Sequence, residues 1–317
     1  MSHALPPGLS VVVPVYRGAA TLRALSERVE QTLAGGTLPF ELVLVDDCSP
    51  DGARGVIQGL AAEKPWIRGL HLMRNYGQHN ATLAGIRAAR YDRVVTLDDD
   101  LQHPPEAIPA LLAKLDEGFD VVYGSPVKEY HGVFRDVSSV ATKALLKHVL
   151  GVTVAREVAS FRVFRTELRA AFADYHSPAV FIDVLLTWAT TSFASVPVQH
   201  ETGGGTSSYT FSKLLLHAVN MVTSFSTLPL RVASLLGVAT VLFGIALLVF
   251  IVVQWMLGGN PVKGFTLMFS MLVIFSGTQL LSLGILGEYL ARMYLRSMGR
   301  PPYVVKSLAG APADSPN

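Results

Sequence analysis

Three consecutive aspartates at positions 98 to 100 are the residues of this chain that most directly suggest chemistry. They follow the strand-like run VVTL and precede LQHPPE. If the backbone stays extended there, alternate side chains share a face, which groups Asp98, Asp100 and Gln102 and turns Asp99 away. Carboxylate and amide oxygens are hard ligands that suit Mg²⁺ or Mn²⁺. The pattern therefore predicts a divalent cation that meets phosphate groups, with Asp99 dispensable; an exposed acidic turn is the alternative interpretation.

Asp46 and Asp47 form a second acidic pair, which follows the apolar run FELVLV. The same alternation directs one carboxylate toward a cleft and the other toward the scaffold, and a carboxylate in the cleft could accept an N–H of a nucleobase. Alternatively, the pair could cap the next helix, a role that Ser49 or Asp51 could also fill. The residues alone leave both interpretations open.

The elements that must position these acids alternate between strand-like and helical patterns. Apolar runs LSVVVPVY, FELVLV, IRGLHLM, RVVTL and DVVYG are separated by helical segments near residues 22–33, 53–63, 80–89 and 106–117. This order predicts an α/β fold with a mostly parallel sheet that carries helices on both faces. Ligands bind beyond the carboxyl ends of such strands, so the segments that follow the first four strands should form one rim. No G-x-G-x-x-G follows the first strand and no Walker lysine motif occurs, which disfavours dinucleotide-binding and P-loop proteins.

The composition of the chain excludes several classes of protein. A formal net charge of +2 over 317 residues gives no electrostatic basis for binding nucleic acid. Cys48 is the one cysteine, which excludes an internal disulfide framework and thiolate zinc sites. The first residues, MSHALPPGLS, lack the pattern of a secretory signal, so we expect the N-terminal part to remain in the cytosol.

The C-terminal third predicts a membrane-embedded hairpin. Between Arg231 and Lys263 lie 31 uncharged residues, and another 24 separate Lys263 from Glu288. Each stretch exceeds the ~20 residues that a helix needs to cross the hydrocarbon core, so we expect spans at about 232–256 and 265–289 within a hairpin of residues 231–291. Soluble buried helices are the alternative. Residues 210–230 mix apolar with polar side chains, which favours a helix lying in the membrane interface and in contact with the lipid bilayer.

The positive charges around the hairpin predict its orientation. Cationic side chains flank both outer ends, whereas the short connection carries one lysine. By the positive-inside rule, both outer flanks lie on the cytoplasmic side. The expected location is therefore the inner (cytoplasmic) membrane, crossed more than once, with residues 1 to about 230 and both termini in the cytoplasm. The flanking cations are Lys213, Arg231, Arg292, Arg296, Arg300 and Lys306.

Five successive motifs carry a resemblance to a known family. PVYRGAATL, VLVDDCSPDG, RNYGQHNATLAGI, LDDDLQHPPEAIPAL and FRVFR resemble, in this order, the motifs of family 2 glycosyltransferases with a GT-A fold. The C-terminal segments, including GILGEYLARMYLRSMGRPPYVV, are similar to those of polyprenyl-phosphate glycosyltransferases, among them bacterial undecaprenyl-phosphate sugar transferases and dolichyl-phosphate mannose synthase-like enzymes. The resemblance covers roughly residues 9 to 306.

The resemblance implies a domain organisation and an activity. Residues 1–209 would form a Rossmann-like GT-A domain in the cytoplasm, followed by the interfacial region 210–230, the hairpin 231–291 and a cytoplasmic tail 292–317. The implied reaction moves a sugar from a UDP-linked nucleotide-sugar donor to polyprenyl phosphate. It inverts the configuration of the anomeric carbon and uses Mg²⁺ or Mn²⁺ as cofactor. It also implies a homo-oligomer, such as a tetramer, and no nucleic-acid partner.

The resemblance also implies roles for individual residues. Arg135 and Arg162 would lie near the donor or lipid phosphate and act with Asp100 in catalysis, although each could instead be a surface arginine on a helix. The implied nucleotide-binding residues are Pro14, Tyr16, Asp47 and Asp98. The implied metal ligands are Asp98, Asp100 and Gln102, and the implied contacts to the lipid phosphate are Arg135, Ser207, Tyr209 and Lys213.

Two segments depart from the family pattern. Ser160 stands where many relatives carry an acid that has been proposed as the catalytic base, so this chain lacks that base. A lipid phosphate is already ionised at neutral pH, so it can act as the nucleophile without a base. The loop Gly203–Ser208 lacks the arginine and lysine that relatives carry there, yet its N–H groups and hydroxyls could still bind phosphate. Two further functions stay open: a catalytically altered nucleotide-sugar-binding protein on the membrane, and a family 2 transferase with another lipid acceptor. Spans without charge argue against a transporter.

Overall fold

The computed structural model describes residues 5–126, 159–178, 180–199, 228–257 and 264–310. Four of the predicted phosphate contacts, Arg135, Ser207, Tyr209 and Lys213, lie outside the described residues, as do positions 210–227 of the predicted interfacial helix. The chain divides into two compact units. One unit combines Met1–Ser208 with Gly299–Asn317, and the other is Tyr209–Met298.

The first unit is built on a sheet of eight strands in the order β7-β5-β6-β4-β1-β2-β3-β8. Strands β1 to β4 are parallel to one another, and β7 is parallel to β5. Strand β6 runs antiparallel between β4 and β5, and β8 runs antiparallel beside β3. The strands are β1 Leu9–Val15, β2 Phe40–Asp46, β3 Ile67–Leu72, β4 Arg93–Thr96, β5 Val121–Pro126, β6 Arg162–Arg165, β7 Phe193–Val198 and β8 Val305–Ala309.

Helices cover both faces of this sheet. Val11 and Val13 of β1 pack into one apolar cluster, and Val12 between them packs into the other, because successive side chains of a strand point to opposite faces. The first cluster contains residues of α1, α2 and α4; the second contains residues of α3 and α5. The helices are α1 Leu22–Leu33, α2 Ala53–Glu63, α3 Gln78–Ala88, α4 Ile108–Asp116 and α5 Ile182–Ala189.

This architecture confirms the predicted α/β class, and the five strand-like runs of the first 126 residues are all strands. All seven residues of β1 are buried, as expected for a strand covered on both faces. Strands β6, β7 and β8 were not predicted. Strand β6 has only four residues, and its place between β4 and β5 depends on pairing with partners more than 35 residues away in sequence.

The segment predicted as a cytoplasmic tail contains β8, which pairs with the outer side of β3. Met73 N donates to Val304 O at 2.9 Å, and Arg54 Nη2 donates to Ser307 Oγ at 3.1 Å. Gly310 ends the strand with a φ of 88°, and a Cβ there would lie 2.6 Å from Ile67 O. Strand β8 is therefore the edge strand on this side of the sheet, and with five residues it offers few unpaired backbone groups to other chains.

The second unit contains two long helices, α6 Leu228–Met256 and α7 Gly264–Ser297. They pack against each other where Gly244 faces the ring of Phe275. Among the described helices, one stretch, Val232–Gln254, is long and apolar enough to cross a membrane, with a mean hydropathy of 2.9. The two helices occupy most of the residues predicted to form the hairpin, and α7 extends beyond its predicted end at residue 289. That both helices cross the bilayer stays a prediction.

Substituting Gly310 should loosen the C-terminal strand. Gly310→Ala places a side chain at positive φ, which costs about 1–3 kcal/mol, and adds a clash with Ile67 O. Gly118→Ala is the matched control, because Gly118 has a φ of 107° but nothing within 4 Å of an added Cβ. Thermal unfolding of the full chain in detergent, with limited proteolysis of the tail, should show the larger loss for Gly310→Ala. Equal losses for the two variants would mean that the packing of β8 contributes nothing.

Candidate active site

A cavity of about 370 Å³ opens at the carboxyl ends of the central parallel strands. Its volume lies within the usual range for small-ligand sites. The three consecutive aspartates all line it, together with residues that follow β1, β2 and β3, which confirms the rim expected from the order of the elements. The lining residues are Pro14, Val15, Tyr16, Asp47, Asn75, Gly77, Gln78, Asp98, Asp99 and Asp100.

The loop after β1 is held by hydrogen bonds from its backbone to side chains of two other loops. Arg17 has a φ of 63°, a conformation that is uncommon for a residue other than glycine and that persists when the surroundings hold it. The three bonds are Tyr16 N to Asp99 Oδ2 at 3.2 Å, Arg17 N to Ser49 Oγ at 3.0 Å, and Ala19 N to Asp51 Oδ2 at 2.9 Å.

Asp47 joins the loops that follow β2 and β3. Its two oxygens accept hydrogen bonds from Tyr76 N at 2.7 Å and Gly77 N at 2.8 Å. Burial raises the pKa of the Asp47 carboxyl, and these two bonds offset only part of the effect. The acid therefore lines the cavity, as predicted for one member of the pair, while it also fixes the loop beside it.

Asp46 points to the scaffold, so the predicted division of the acidic pair is confirmed. Its carboxylate accepts a hydrogen bond from Ser49 N at 2.8 Å and lies 3.2 Å from His71 Nδ1, in a pair that is almost fully buried. Burial by itself would raise the pKa of Asp46, but the hydrogen bonds with His71 and Ser49 outweigh it and leave the pKa below its usual value. The N-cap residue of the next helix is Gly52, which makes no side-chain cap bond, and Asp51 before it accepts a hydrogen bond from Ala53 N at 3.3 Å.

The predicted alternation of the aspartates at positions 98 to 100 is wrong, because the strand ends too early. Strand β4 stops at Thr96, and Leu101 has a φ of 62° in the turn that follows. Asp99 therefore lines the same cavity as its two neighbours. Asp98 accepts hydrogen bonds from Gln78 Nε2 and Ser160 Oγ, both at 2.6 Å.

Asp99 and Asp100 differ in their surroundings. Burial, together with the negative charges of Asp98 and Asp100, raises the pKa of Asp99 to about 6, although the bond from Tyr16 N opposes the rise. Asp100 is exposed, and its Oδ1 accepts a hydrogen bond from Gln102 N at 3.0 Å. Gln102 thus contacts Asp100 through its backbone, and its side chain as a metal ligand stays a prediction.

The acids suit a cation that arrives with its own oxygen ligands. Within the described ranges, no three His, Cys, Asp or Glu side chains are grouped closely enough to enclose a metal ion. Mg²⁺ is commonly held by one or two carboxylates together with substrate phosphates. Asp98 and Asp100 provide hard oxygen atoms on the cavity wall, and Asp100 is open to solvent, so the donor set fits a divalent cation shared with a diphosphate.

Arg162 begins strand β6 and is only 2% exposed, so the alternative that it is a surface arginine on a helix is wrong. Its guanidinium pairs with Asp183 of α5, and its Nε donates to Thr96 Oγ1 at 3.0 Å. Thr96 Oγ1 in turn donates to the carbonyl of Ser160, whose hydroxyl holds Asp98. Arg162 is absent from the described cavity wall, and its predicted contact with phosphate remains a prediction.

Sequence reasoning missed two side chains that hold Asp98. Gln78 belongs to the RNYGQ segment, which was expected to lie on the rim. Its contact with the acids could therefore have been predicted from its place in the sequence. Ser160 was recognised only as a missing acid, although its hydroxyl bonds to Asp98. This contact spans 62 residues in sequence, and no local pattern indicates it.

Comparison with known proteins identifies the family. The model of Glycosyl transferase family 2 matches residues 10–171, which include every residue of the cavity wall. The chain belongs to glycosyl transferase family 2. This family 2 glycosyltransferase is 36% identical over 304 residues to the undecaprenyl-phosphate 4-deoxy-4-formamido-L-arabinose transferase of Shewanella sediminis, covering 95% of this chain and 92% of the relative. A protein of the same name from Klebsiella pneumoniae is 33% identical over 308 residues, covering 96% and 94%.

Solved structures support the fold of the family 2 domain. A crystal structure of Mycobacterium tuberculosis glucosyl-3-phosphoglycerate synthase aligns with a TM-score of 0.50 at 17% identity, covering 68% of this chain and 78% of that protein. The same synthase in complex with Mn²⁺, UDP and phosphoglyceric acid aligns with a TM-score of 0.50 at 19% identity, covering 68% and 76%. At this identity the likeness concerns the fold alone.

Removing Asp183 should destabilise the glycosyltransferase strongly. Asp183→Ala leaves the Arg162 guanidinium buried without its carboxylate partner, which typically costs about 3–5 kcal/mol. Asp116→Ala is the control, because its pair with Arg93 is partly exposed and such pairs contribute about 1 kcal/mol or less. Denaturant unfolding of both variants measures the difference. If Asp183→Ala lowered the free energy of unfolding no more than Asp116→Ala, the buried ion pair would not contribute strongly to stability.

Proposed function

We propose that this family 2 glycosyltransferase moves a sugar from a UDP-linked nucleotide-sugar donor to polyprenyl phosphate. The proposed acceptor is undecaprenyl phosphate. The observation that carries the proposal is the group of three carboxylates on one cavity wall, beside a loop whose backbone is held in place. The nearly full-length similarity to proteins named undecaprenyl-phosphate sugar transferases supports the choice of acceptor.

The donor would lie across the cavity. Its base and ribose would contact Pro14, Tyr16 and Asp47, which line the side formed by the loops after β1 and β2. Its diphosphate would meet Asp98 and Asp100, with Mg²⁺ or Mn²⁺ between the carboxylates and the phosphate oxygens. Tyr16 is 45% exposed, so its ring is available to cover a base.

The reaction would be a single displacement at the anomeric carbon. An ionised phosphate oxygen of the lipid forms the new bond to this carbon while the bond to the diphosphate oxygen breaks, which inverts the configuration. No proton has to be removed from the nucleophile, so the absence of an acid at Ser160 is compatible with turnover. The charge that builds on the departing diphosphate is neutralised by the divalent cation when it is bound. The chain itself orients the acids, through Gln78 and Ser160 on Asp98.

Arg162 fits a positioning role in this reaction, because it supports Thr96 and thereby the carbonyl of Ser160 next to Asp98. Arg135, Ser207, Tyr209 and Lys213 remain our proposed contacts to the acceptor phosphate. Gln102 remains a proposed additional ligand of the cation.

We further propose that α6 and α7 both cross the inner membrane, with the catalytic domain and both termini on the cytoplasmic side. The apolar stretch Val232–Gln254 and the charge-free run within α7 support the two crossings. Strand β8 supports the common side, because the segment after α7 pairs with β3 of the catalytic sheet. A homo-oligomer, such as a tetramer, is part of the proposal.

Loss of Asp100 should abolish sugar transfer. Purified protein is mixed with undecaprenyl phosphate, Mn²⁺ and a panel of labelled UDP-sugars, and labelled lipid is measured. Asp100→Asn should lower product formation by about 100-fold or more, because charge stabilisation at the departing diphosphate is lost. Asp116→Asn, an acid on α4 outside the cavity wall, should retain activity. EDTA should stop the reaction, and Mn²⁺ or Mg²⁺ should restore it.

Other outcomes would contradict the proposal. Donor binding by the wild-type protein without labelled lipid, for every donor, would indicate a nucleotide-sugar-binding protein that has lost catalysis. Transfer to a lipid other than polyprenyl phosphate would agree with the family activity but would show that the proposed acceptor is wrong. A product with retained anomeric configuration would exclude the single displacement.

A further inference from the structure

Asp99 connects two of the loops that line the cavity, those after β1 and β4. It follows β4 and stands between Asp98 and Asp100, yet its Oδ2 accepts the hydrogen bond from Tyr16 N at 3.2 Å, across 83 residues of sequence. Of the three side chains that hold the loop after β1, the other two, Ser49 and Asp51, come from the loop after β2. Asp99 therefore provides the described link between this loop and the acids after β4.

Gly18 leaves the space that the Asp99 carboxylate occupies. A Cβ built on Gly18 would overlap Asp99 Oδ2 and would lie 2.8 Å from its Cγ. The backbone of Gly18 has no positive φ that would require glycine, so the close approach of Asp99 is the reason for a small residue. A side chain at position 18 would force the Asp99 carboxylate to move away from Tyr16 N.

We propose that Asp99 is a positioning residue for the donor nucleotide: its carboxylate holds the backbone of Tyr16 against the cavity, and Gly18 provides the space it needs. This inference deepens the proposed function and rests on it for the identity of the nucleotide. Tyr16 lines the cavity, so releasing its backbone from Asp99 weakens the preorganisation of the surface that would contact the base.

The proposal differs from two other roles for the same acid. A metal ligand would act through its charge on the cation, so Asp99→Asn would be as harmful as Asp100→Asn. A purely structural acid would change stability and leave nucleotide affinity unchanged. A positioning acceptor can be replaced by asparagine, because the amide oxygen can still accept the Tyr16 N–H.

The test measures binding of UMP in the presence of EDTA, so that no cation contributes. Asp99→Ala should weaken binding about 10-fold, which corresponds to the loss of one hydrogen bond to a charged acceptor. Asp99→Asn should stay within about threefold of the wild type, because the acceptor atom is retained. Gly18→Ala should weaken binding about as much as Asp99→Ala, since both changes break the same bond.

The double variant Gly18→Ala/Asp99→Ala provides the decisive comparison. If the two residues act through one hydrogen bond, the double variant loses about 10-fold, whereas independent effects would multiply to about 100-fold. Gly55→Ala on α2 is the steric control, because an added Cβ there meets nothing within 4 Å, and it should bind UMP like the wild type. Multiplied losses, or unchanged affinity in both single variants, would overturn the proposal.

If the wild-type protein binds no UMP, that result counts against the proposed donor alone. The interaction between Gly18 and Asp99 is then tested by thermal unfolding. Gly18→Ala should lower the Tm by about 2–4 °C in the wild-type background, as expected for the loss of about 1 kcal/mol in a domain of this size. In the Asp99→Ala background the same substitution should lower the Tm by less than about 1 °C, because the clash is gone. Equal shifts in both backgrounds would show that Gly18 and Asp99 do not interact.

Discussion

Asp98, Asp99 and Asp100 place three negative charges side by side on the rim of a buried sheet, and each charge has to be stabilised separately. Asp98 receives hydrogen bonds from Gln78 and Ser160. Asp99 receives one from Tyr16 N, and Asp100 remains open to water. Mutual repulsion and burial oppose ionisation, as the raised pKa of Asp99 indicates. In the proposed function, a cation carried by a diphosphate would relieve this repulsion.

The sheet makes this arrangement possible because the carboxyl ends of its central parallel strands lie on the same side of the sheet. Strands β1, β2 and β4 are parallel neighbours with buried side chains, so the loops at their carboxyl ends begin from fixed positions. Side chains of one loop then bind the backbone of another: Asp47 holds Tyr76 and Gly77, and Asp99 holds Tyr16. Loops that are held before the ligand arrives lose less conformational entropy when it binds.

Two distant segments complete the unit that contains the cavity. Strand β6 brings Arg162 beneath the acids, where its pair with Asp183 ties the sheet to α5 and its bond to Thr96 supports the end of β4. Strand β8 forms the opposite edge of the sheet after the chain has passed through α6 and α7. The segment after the hairpin is thus bound to the catalytic sheet by main-chain hydrogen bonds, which are independent of any membrane.

The sequence by itself determined the alternating elements up to residue 126, the rim that collects the acids, and the family, because these depend on local periodicity and on motifs in order. It left open which of Asp46 and Asp47 lines the cavity, and the structure assigns that place to Asp47. Only the tertiary structure decided that β4 ends at Thr96 and that Asp99 lines the cavity, since a turn at positive φ breaks the alternation of an extended strand. It also decided the partners of Asp98 and Arg162 and the pairing of β6 and β8. Those contacts join segments far apart in sequence, and local patterns carry no information about which distant side chain will meet them.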